Sequence, residues 1–85
     1  MTPAQCRAAR GWLGWSQAEL ASRANVSLRV IAAFERGEQR PRPNNLIAIH
    51  RAIDAAGVRL VFDKEGAAGI LRRDAGTDLT DDPRI

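Results

Sequence analysis

Arginine is the residue type in this chain with the greatest capacity to bind a ligand. The sequence contains twelve arginines and one lysine, and its formal net charge is +3 at pH 7. The planar guanidinium donates paired hydrogen bonds to phosphate oxygens or to guanine, which the ammonium of lysine does less well. Residues 1–62 carry a net charge of +5, whereas residues 63–85 carry −2. A basic body with an acidic tail indicates a polyanionic partner for the body.

Other kinds of chemistry have few candidate residues. One cysteine (Cys6) and one histidine (His50) supply neither an intrachain disulfide nor four zinc ligands. We find no paired carboxylates, no nucleophile beside a histidine and no phosphate loop, so we expect no enzyme, no catalytic residue and no cofactor. Without a long apolar run or a secretory signal, we expect a cytoplasmic protein with no membrane partner. Cys6 is interpreted as an inert core residue, with redox sensing as the alternative.

The spacing of apolar residues predicts four short helices around one small core. Capping residues and prolines mark where the helices begin, and glycines mark where most of them end. Glu19 follows the Ser16 cap by three residues and is expected to complete a capping box. The first predicted helix is residues 3–12, preceded by the Thr2 cap, and the second is residues 17–23, preceded by the Ser16 cap. The third runs from the Ser27 cap to Gly37, and the fourth runs from Asn44 or Asn45 to Gly57.

A very short turn joins the second and third helices. The interior positions Leu20, Ile31 and Phe34 place the two helices against each other. Ala21 is expected at their closest approach, where a larger side chain would separate them. Asn25 is expected at the corner in a left-handed conformation, which asparagine tolerates better than most residues.

Four short motifs between residues 14 and 41 identify a family resemblance. The sequence resembles the Cro/repressor-type, or Xre, helix-turn-helix family over roughly residues 3–56. This resemblance implies an all-α, lambda-repressor-like helix-turn-helix domain of four to five short helices, and a DNA-binding transcriptional regulator, typically a repressor. The resemblance depends on these residues together: Gly14-Trp15-Ser16-Gln17-Ala18-Glu19-Leu20-Ala21, Val26-Ser27, Phe34-Glu35-Arg36-Gly37 and Arg40-Pro41.

The resemblance also implies a role for particular side chains. Arg29 is the strongest candidate for contact with a base, since a bidentate arginine discriminates guanine by about 1–3 kcal/mol. Leu28 and Ala33 are apolar where phage-type relatives often have polar residues, so part of the specificity is expected to come from DNA shape. The resemblance assigns base contacts to Ser27, Leu28, Arg29 and Ala33, a phosphate contact to Gln17, and a structural ion pair to Arg10 and Glu35.

The segment after the third helix is a second candidate for contact with phosphate. Its arginines form either a phosphate clamp beside the recognition helix or a solvated loop, and its prolines stiffen it in an extended form. Asn44 and Asn45 at its end are expected either to cap the fourth helix or to bind phosphate. The phosphate-binding prediction covers Arg36, Arg40, Arg42 and Asn45.

Beyond Gly57 the apolar period changes from helical to alternating. Val58, Leu60 and Phe62 are predicted to lie on one face of a short strand, and residues 70–73 are a candidate returning strand. We therefore predict a helix-turn-helix domain over 1–57, a short C-terminal β-strand or hairpin over 58–73, and an acidic, disordered tail over 74–85.

The predicted hairpin leaves two possibilities open. It folds back on its own domain, or its three apolar residues make a homodimer that binds a palindromic operator on double-stranded DNA. The alternative function is an antitoxin or anti-regulator that acts mainly through a protein partner.

Overall fold

The structure is a computed structural model that describes residues 1–72, except for the side chains of residues 67, 68 and 72. The predicted tail over 74–85 and the end of the returning strand at residue 73 lie outside the described residues. The described residues form four helices followed by an antiparallel hairpin, which confirms the predicted architecture. The elements are α1 Pro3–Leu13, α2 Gln17–Ala24, α3 Leu28–Glu35, α4 Pro43–Ala55, β1 Val58–Asp63 and β2 Gly66–Arg72.

The first three helices begin at polar caps. The Thr2 hydroxyl accepts a hydrogen bond from the Gln5 N–H at 3.0 Å, and the Gln5 carboxamide oxygen accepts one from the Thr2 N–H at 3.0 Å. This reciprocal pair is a complete capping box, with Pro3 in the first turn. Ser16 and Ser27 cap α2 and α3 as predicted, each through its hydroxyl and a backbone N–H three residues on.

The predicted capping box at α2 is only half formed. The Glu19 carboxylate accepts a hydrogen bond from Arg23 at 2.7 Å, one helical turn further on. A charge-assisted hydrogen bond from arginine is stronger than one from a neutral backbone N–H. Glu19 therefore pairs with Arg23 along the exposed face of α2 and does not complete the capping box.

The chain reverses direction at left-handed residues. Asn25 has φ 56° at the corner between α2 and α3, as predicted, and its N–H bonds to the carbonyls of Ala21 and Ser22. Gly37 has φ 75° just after α3. A residue with a β-carbon is strained in this region of conformational space, which explains why asparagine and glycine occupy these two corners.

Helix α4 begins earlier than predicted. Pro43 is its first residue, and Arg42 is the N-cap with no side-chain cap hydrogen bond. The prediction that Pro43 belongs to the extended segment was wrong because proline has the helical φ and lacks an N–H where the first turn needs none. Asn44 and Asn45 lie within the helix and are not its N-cap.

The core lies where the four helices and the hairpin meet. Its largest fully buried side chains come from α2, α3, α4 and β1: Leu20, Ile31, Phe34, Ile49, Ile53 and Val58. Ala21 is also buried, consistent with its predicted place at the helix contact. Because Val58 and Leu60 belong to the same core as the helices, the hairpin is packed on the domain. None of the helices within residues 1–72 has the length and apolar character needed to cross a bilayer.

The hairpin departs from the predicted alternation at one point. Val58 and Leu60 face the core, but Phe62 is 50% exposed. The pairing register shifts between Val61 and Phe62, because β2 has one extra residue between their partners Gly69 and Ala67. Phe62 lies beyond this shift, near the end of β1. The returning strand also begins at Gly66, before the predicted Ile70, because small residues there pair through the backbone without an apolar pattern.

Gln5 fastens the hairpin to α1. Its buried carboxamide nitrogen donates to the carbonyl of Val61 at 3.0 Å and to the carbonyl of Gly69 at 2.9 Å. These two residues pair across the strands directly before the register shift. The side chain therefore joins both strands to the first helix.

Replacing Gln5 by alanine is expected to lower the free energy of unfolding by about 1–3 kcal/mol, because two carbonyls beside the helix lose their donors. Urea unfolding measures the loss, and amide hydrogen exchange should show it concentrated in the hairpin. Gln39→Ala removes an exposed glutamine and serves as the control. Equal stability of the two variants would show that Gln5 does not hold the hairpin.

Candidate nucleic-acid interface

The first turn of α3 is open to solvent. Ser27, Leu28 and Arg29 are all exposed, and Leu28 retains 48% of its surface. The interior face of the same helix, Ile31 and Phe34, anchors it in the core. The structure therefore presents three of the four predicted base-contacting residues at one end of a firmly packed helix.

Ala33 does not share this exposure. Helical spacing places it one turn after Arg29, but it is only 7% exposed. The segment after α3 folds back here, since the N–H groups of Glu38 and Gln39 both donate to the Ala33 carbonyl, at 3.0 and 3.4 Å. Ala33 therefore offers little surface for the predicted base contact, which stays a prediction, and the half-buried Ala32 is more exposed.

The link between α3 and α4 carries an exposed cluster of arginines, namely Arg36, Arg40 and Arg42. Arg36 bonds to the exposed Glu38 at 2.9 Å, and Arg40 approaches the Met1 carbonyl at 3.4 Å. Arg42 stands at the start of α4, where no side chain caps the free N–H groups. Partial positive charge at a helix start adds to that of the arginines, so this link is an anion-attracting surface.

Two other predicted phosphate contacts are less exposed than the arginines. Asn45 is half-buried in the first turn of α4. Gln17 is half-buried at the start of α2, and its amide nitrogen donates to a Glu35 carboxylate oxygen at 3.0 Å. The donor of Gln17 is thus engaged inside the protein, and the first backbone N–H groups of α2 are left to face an anion.

Glu35 is the centre of a buried hydrogen-bond network. Its side chain is 2% exposed, and Arg10 donates to both carboxylate oxygens at 2.7 Å. The predicted residues thus meet in a bidentate ion pair. Arg10 also donates to the Trp15 carbonyl at 3.0 Å, so the pair joins α1, the start of α2 and the end of α3.

The remaining bonding capacity of Glu35 is also satisfied. Its carboxylate accepts from Gln17 and, at 3.1 Å, from the Cys6 thiol, while Arg7 donates to its backbone carbonyl. Burial raises the pKa of this carboxyl, but hydrogen bonds from Arg10, Gln17 and Cys6 outweigh it and hold the pKa below its ordinary value. Glu35 is therefore ionised, and its network fixes the positions of three helices.

Cys6 takes part in this network as a neutral donor. It is fully buried, and burial together with its bond to Glu35 raises the pKa of the thiol far above its ordinary range. A buried, protonated thiol is a poor nucleophile. The geometry favours the predicted core role for Cys6 over redox sensing.

Several supporting residues were missed at the level of sequence. Gln5, Arg7 and the inward bond of Gln17 have no local signature, because each partner lies at least 18 residues away in the chain. The sequence offered one signal for Arg7: it lies one helical turn before Arg10, and therefore on the same side of α1. The Arg23 guanidinium over the Trp15 ring, at 4.4 Å from its centre, was also unforeseen.

Helices α2 and α3 are short and meet at a left-handed corner, the start of α3 is exposed, and an arginine-rich link follows α3. This arrangement defines a helix-turn-helix DNA-binding protein. A family model described as helix-turn-helix matches residues 7–56. The chain belongs to this family, of the Cro/repressor or Xre type. It is thus a DNA-binding transcription regulator.

A solved structure supports the same conclusion. The chain is similar to the DNA-binding domain of the P22 C2 repressor, determined in solution by nuclear magnetic resonance, with 35% sequence identity and a TM-score of 0.57. The match covers 61% of this chain and 68% of that one. The predicted lambda-repressor-like fold is confirmed. Among curated proteins, none matches the chain significantly.

Proposed function

We propose that the chain is a sequence-specific repressor that binds a palindromic operator as a homodimer. The observation that carries this proposal is the open first turn of α3, where Leu28 and Arg29 are exposed. An exposed helix start of this kind enters the major groove, where base pairs are distinguishable. Occupation of an operator then blocks access to the promoter without any chemical step.

Phosphate contacts orient the helix in the groove. The arginine link lies immediately after α3 in the chain, and the start of α2 adds free N–H groups before it. Contacts of this kind position the protein but carry no direct sequence information. Because they displace counterions from the DNA, binding should weaken steeply as the salt concentration rises.

The dimer surface proposed here differs from the sequence prediction. Val58 and Leu60 are buried in the chain's own core, so their side chains are not available to a second copy. Phe62 is exposed at the register shift, and Leu71 is exposed on β2. Two exposed apolar side chains on a two-stranded sheet favour covering by a second copy of the chain. A dimer that reads two half-sites needs its recognition helices about one DNA turn, ~34 Å, apart.

Replacing Phe62 by serine is expected to convert the dimer to a monomer and to weaken operator binding, because the apolar surface that holds the copies together is lost. Sedimentation velocity measures the mass, with Trp12→Ser as a matched control at another exposed aromatic residue. A Phe62→Ser protein that remains dimeric would exclude this surface. A monomeric wild type would exclude the homodimer altogether.

Selection of bound sequences from random duplex DNA tests the function itself. The expected product is a short site with two inverted half-sites, each containing a guanine for Arg29. The distance between half-sites gives the dimer geometry. If repeated rounds yield no enriched sequence, the proposed sequence-specific function is wrong.

A further inference from the structure

Leu28 occupies an unusual place for a large apolar side chain. It is the first residue of α3 and is 48% exposed. The other large exposed apolar side chains among the described residues belong to other elements: Trp12 to α1, Ile47 to α4, and Phe62 and Leu71 to the hairpin. Leu28 thus lies at the end of the helix proposed to enter the groove.

Few other side chains compete with Leu28 for the DNA at this position. The Ser27 hydroxyl accepts the N–H of Val30 at 3.2 Å, which holds it close to the backbone. Ala32 is half-buried and Ala33 is buried. The long exposed side chains of α3 within the described residues are therefore those of Leu28 and Arg29.

The chemistry of these two side chains selects different partners. Arg29 donates hydrogen bonds and pairs with the two acceptors of guanine in the major groove. Leucine offers neither donor nor acceptor, and the one apolar group on a base edge in that groove is the C5 methyl of thymine. Any polar base edge placed against Leu28 would lose water without gaining a hydrogen bond.

Leu28 and Arg29 are consecutive in the chain, which places the bases that they contact close together. Consecutive Cα atoms lie about 3.8 Å apart, close to the rise of about 3.4 Å between neighbouring bases on one strand. We propose that each half-site carries a thymine on the base pair next to the guanine of Arg29, with its methyl group packed against Leu28. This inference rests on the proposed function and names the bases that the site selects.

Deoxyuridine provides a direct probe, because it keeps every hydrogen-bonding group of thymine and lacks only the methyl. Duplexes of the selected operator are prepared with deoxyuridine at one thymine at a time in each half-site. At the thymine beside the guanine, wild-type affinity should fall about fourfold per half-site, the effect of losing one methyl group that is buried in the complex. Fluorescence anisotropy measures the affinities.

Leu28→Ala tests the leucine side of the contact. This variant should bind the thymine operator more weakly than wild type and should bind thymine and deoxyuridine duplexes equally. Ile47→Ala is the matched control, since Ile47 is also 48% exposed but lies on α4. It should keep the wild-type preference for thymine.

The possible outcomes separate the two proposals. If no sequence is selected, the proposed function fails before the thymine question arises. If a site is selected but wild type binds every deoxyuridine duplex within twofold of the thymine duplex, the function stands and the thymine contact is wrong. If Leu28→Ala keeps the wild-type preference for thymine, Leu28 does not contact the methyl. The wild-type comparison needs no variant to fold.

Discussion

Arg10→Met is expected to lower the free energy of unfolding by about 3–5 kcal/mol, because it leaves a buried charge without its partner. The Glu35 carboxylate is 2% exposed and receives two 2.7 Å hydrogen bonds from Arg10. Gln17 and Cys6 remain as donors but carry no charge to balance it. Thermal and urea unfolding measure the loss, and DNA binding is assayed well below the melting temperature.

Two further variants show whether the lost energy comes from an unpaired charge. Arg10→Met combined with Glu35→Leu removes both charges and should recover much of the stability, as buried ion pairs replaced by apolar residues often do. Glu19→Gln breaks an exposed pair with Arg23, leaves Arg23 over the Trp15 ring, and should lose only about 0.2–1 kcal/mol. If Arg10→Met weakens DNA binding but leaves the melting temperature unchanged, Arg10 belongs to the DNA surface instead.

The same network predicts a pH dependence of stability. The folded-state pKa of Glu35 lies below its ordinary value, so the stabilisation is fully present above about pH 4.3, the ordinary value for glutamate. It is lost as the pH falls through the folded pKa and the carboxylate takes up a proton. Unfolding in urea at neutral and acidic pH should show this loss in wild type and a smaller one in the Arg10→Met, Glu35→Leu double variant.

Arg29→Ala is expected to reduce operator affinity by about 1–3 kcal/mol for each half-site and to abolish the preference for guanine at one position. The side chain is exposed in the first turn of α3, and alanine is a good helix former. The fold should therefore remain intact. Repeating the selection from random DNA with the variant identifies the position whose preference is lost.

Arg51→Ala is the matched control for the loss of one positive charge. Arg51 is exposed on α4, two helical turns beyond the first residue of that helix. Its removal should leave base preference unchanged and weaken all duplexes alike, through the reduced net charge alone. If Arg29→Ala retains the guanine preference, or Arg51→Ala loses it, the assignment of Arg29 to base contact is incorrect.

The parts of the fold that were predictable from sequence depend on local chemistry. Ser16, Ser27 and Asn25 act within a few residues of themselves, so their types and spacing were sufficient to locate the helix-turn-helix. Gly37 was likewise predictable, because its left-handed conformation after α3 depends on the residue type alone. The early start of α4 was missed because Pro43 satisfies both an extended segment and a first helical turn.

The parts that were not predictable depend on contacts distant in the chain. Gln5 bonds to the hairpin across more than 50 residues, and the register shift before Phe62 follows from how β1 meets β2. Ala33 lies one helical turn after Arg29 in α3, but it is only 7% exposed and its carbonyl accepts hydrogen bonds from the following segment. Helical spacing alone therefore did not reveal how little of Ala33 is exposed.

The supporting network of the site was only partly foreseen. The pairing of Arg10 with Glu35 came from the family resemblance, and the structure forms it. Sequence reasoning predicted a core position for Cys6, which the structure shows, and a DNA contact for Gln17, but it did not foresee that both side chains donate to Glu35. Side chains that satisfy a buried carboxylate carry no sequence signal of their own, because any nearby donor of the right length can serve.

The most direct test of the central claim is the ratio of two affinities. Fluorescence anisotropy should compare the selected duplex with a shuffled duplex of the same composition over a range of salt concentrations. We predict that the selected duplex binds at least about 1,000-fold more tightly at physiological salt, and that both affinities fall steeply as salt rises. Equal affinity for the two duplexes at every salt concentration would contradict sequence-specific DNA binding by this chain.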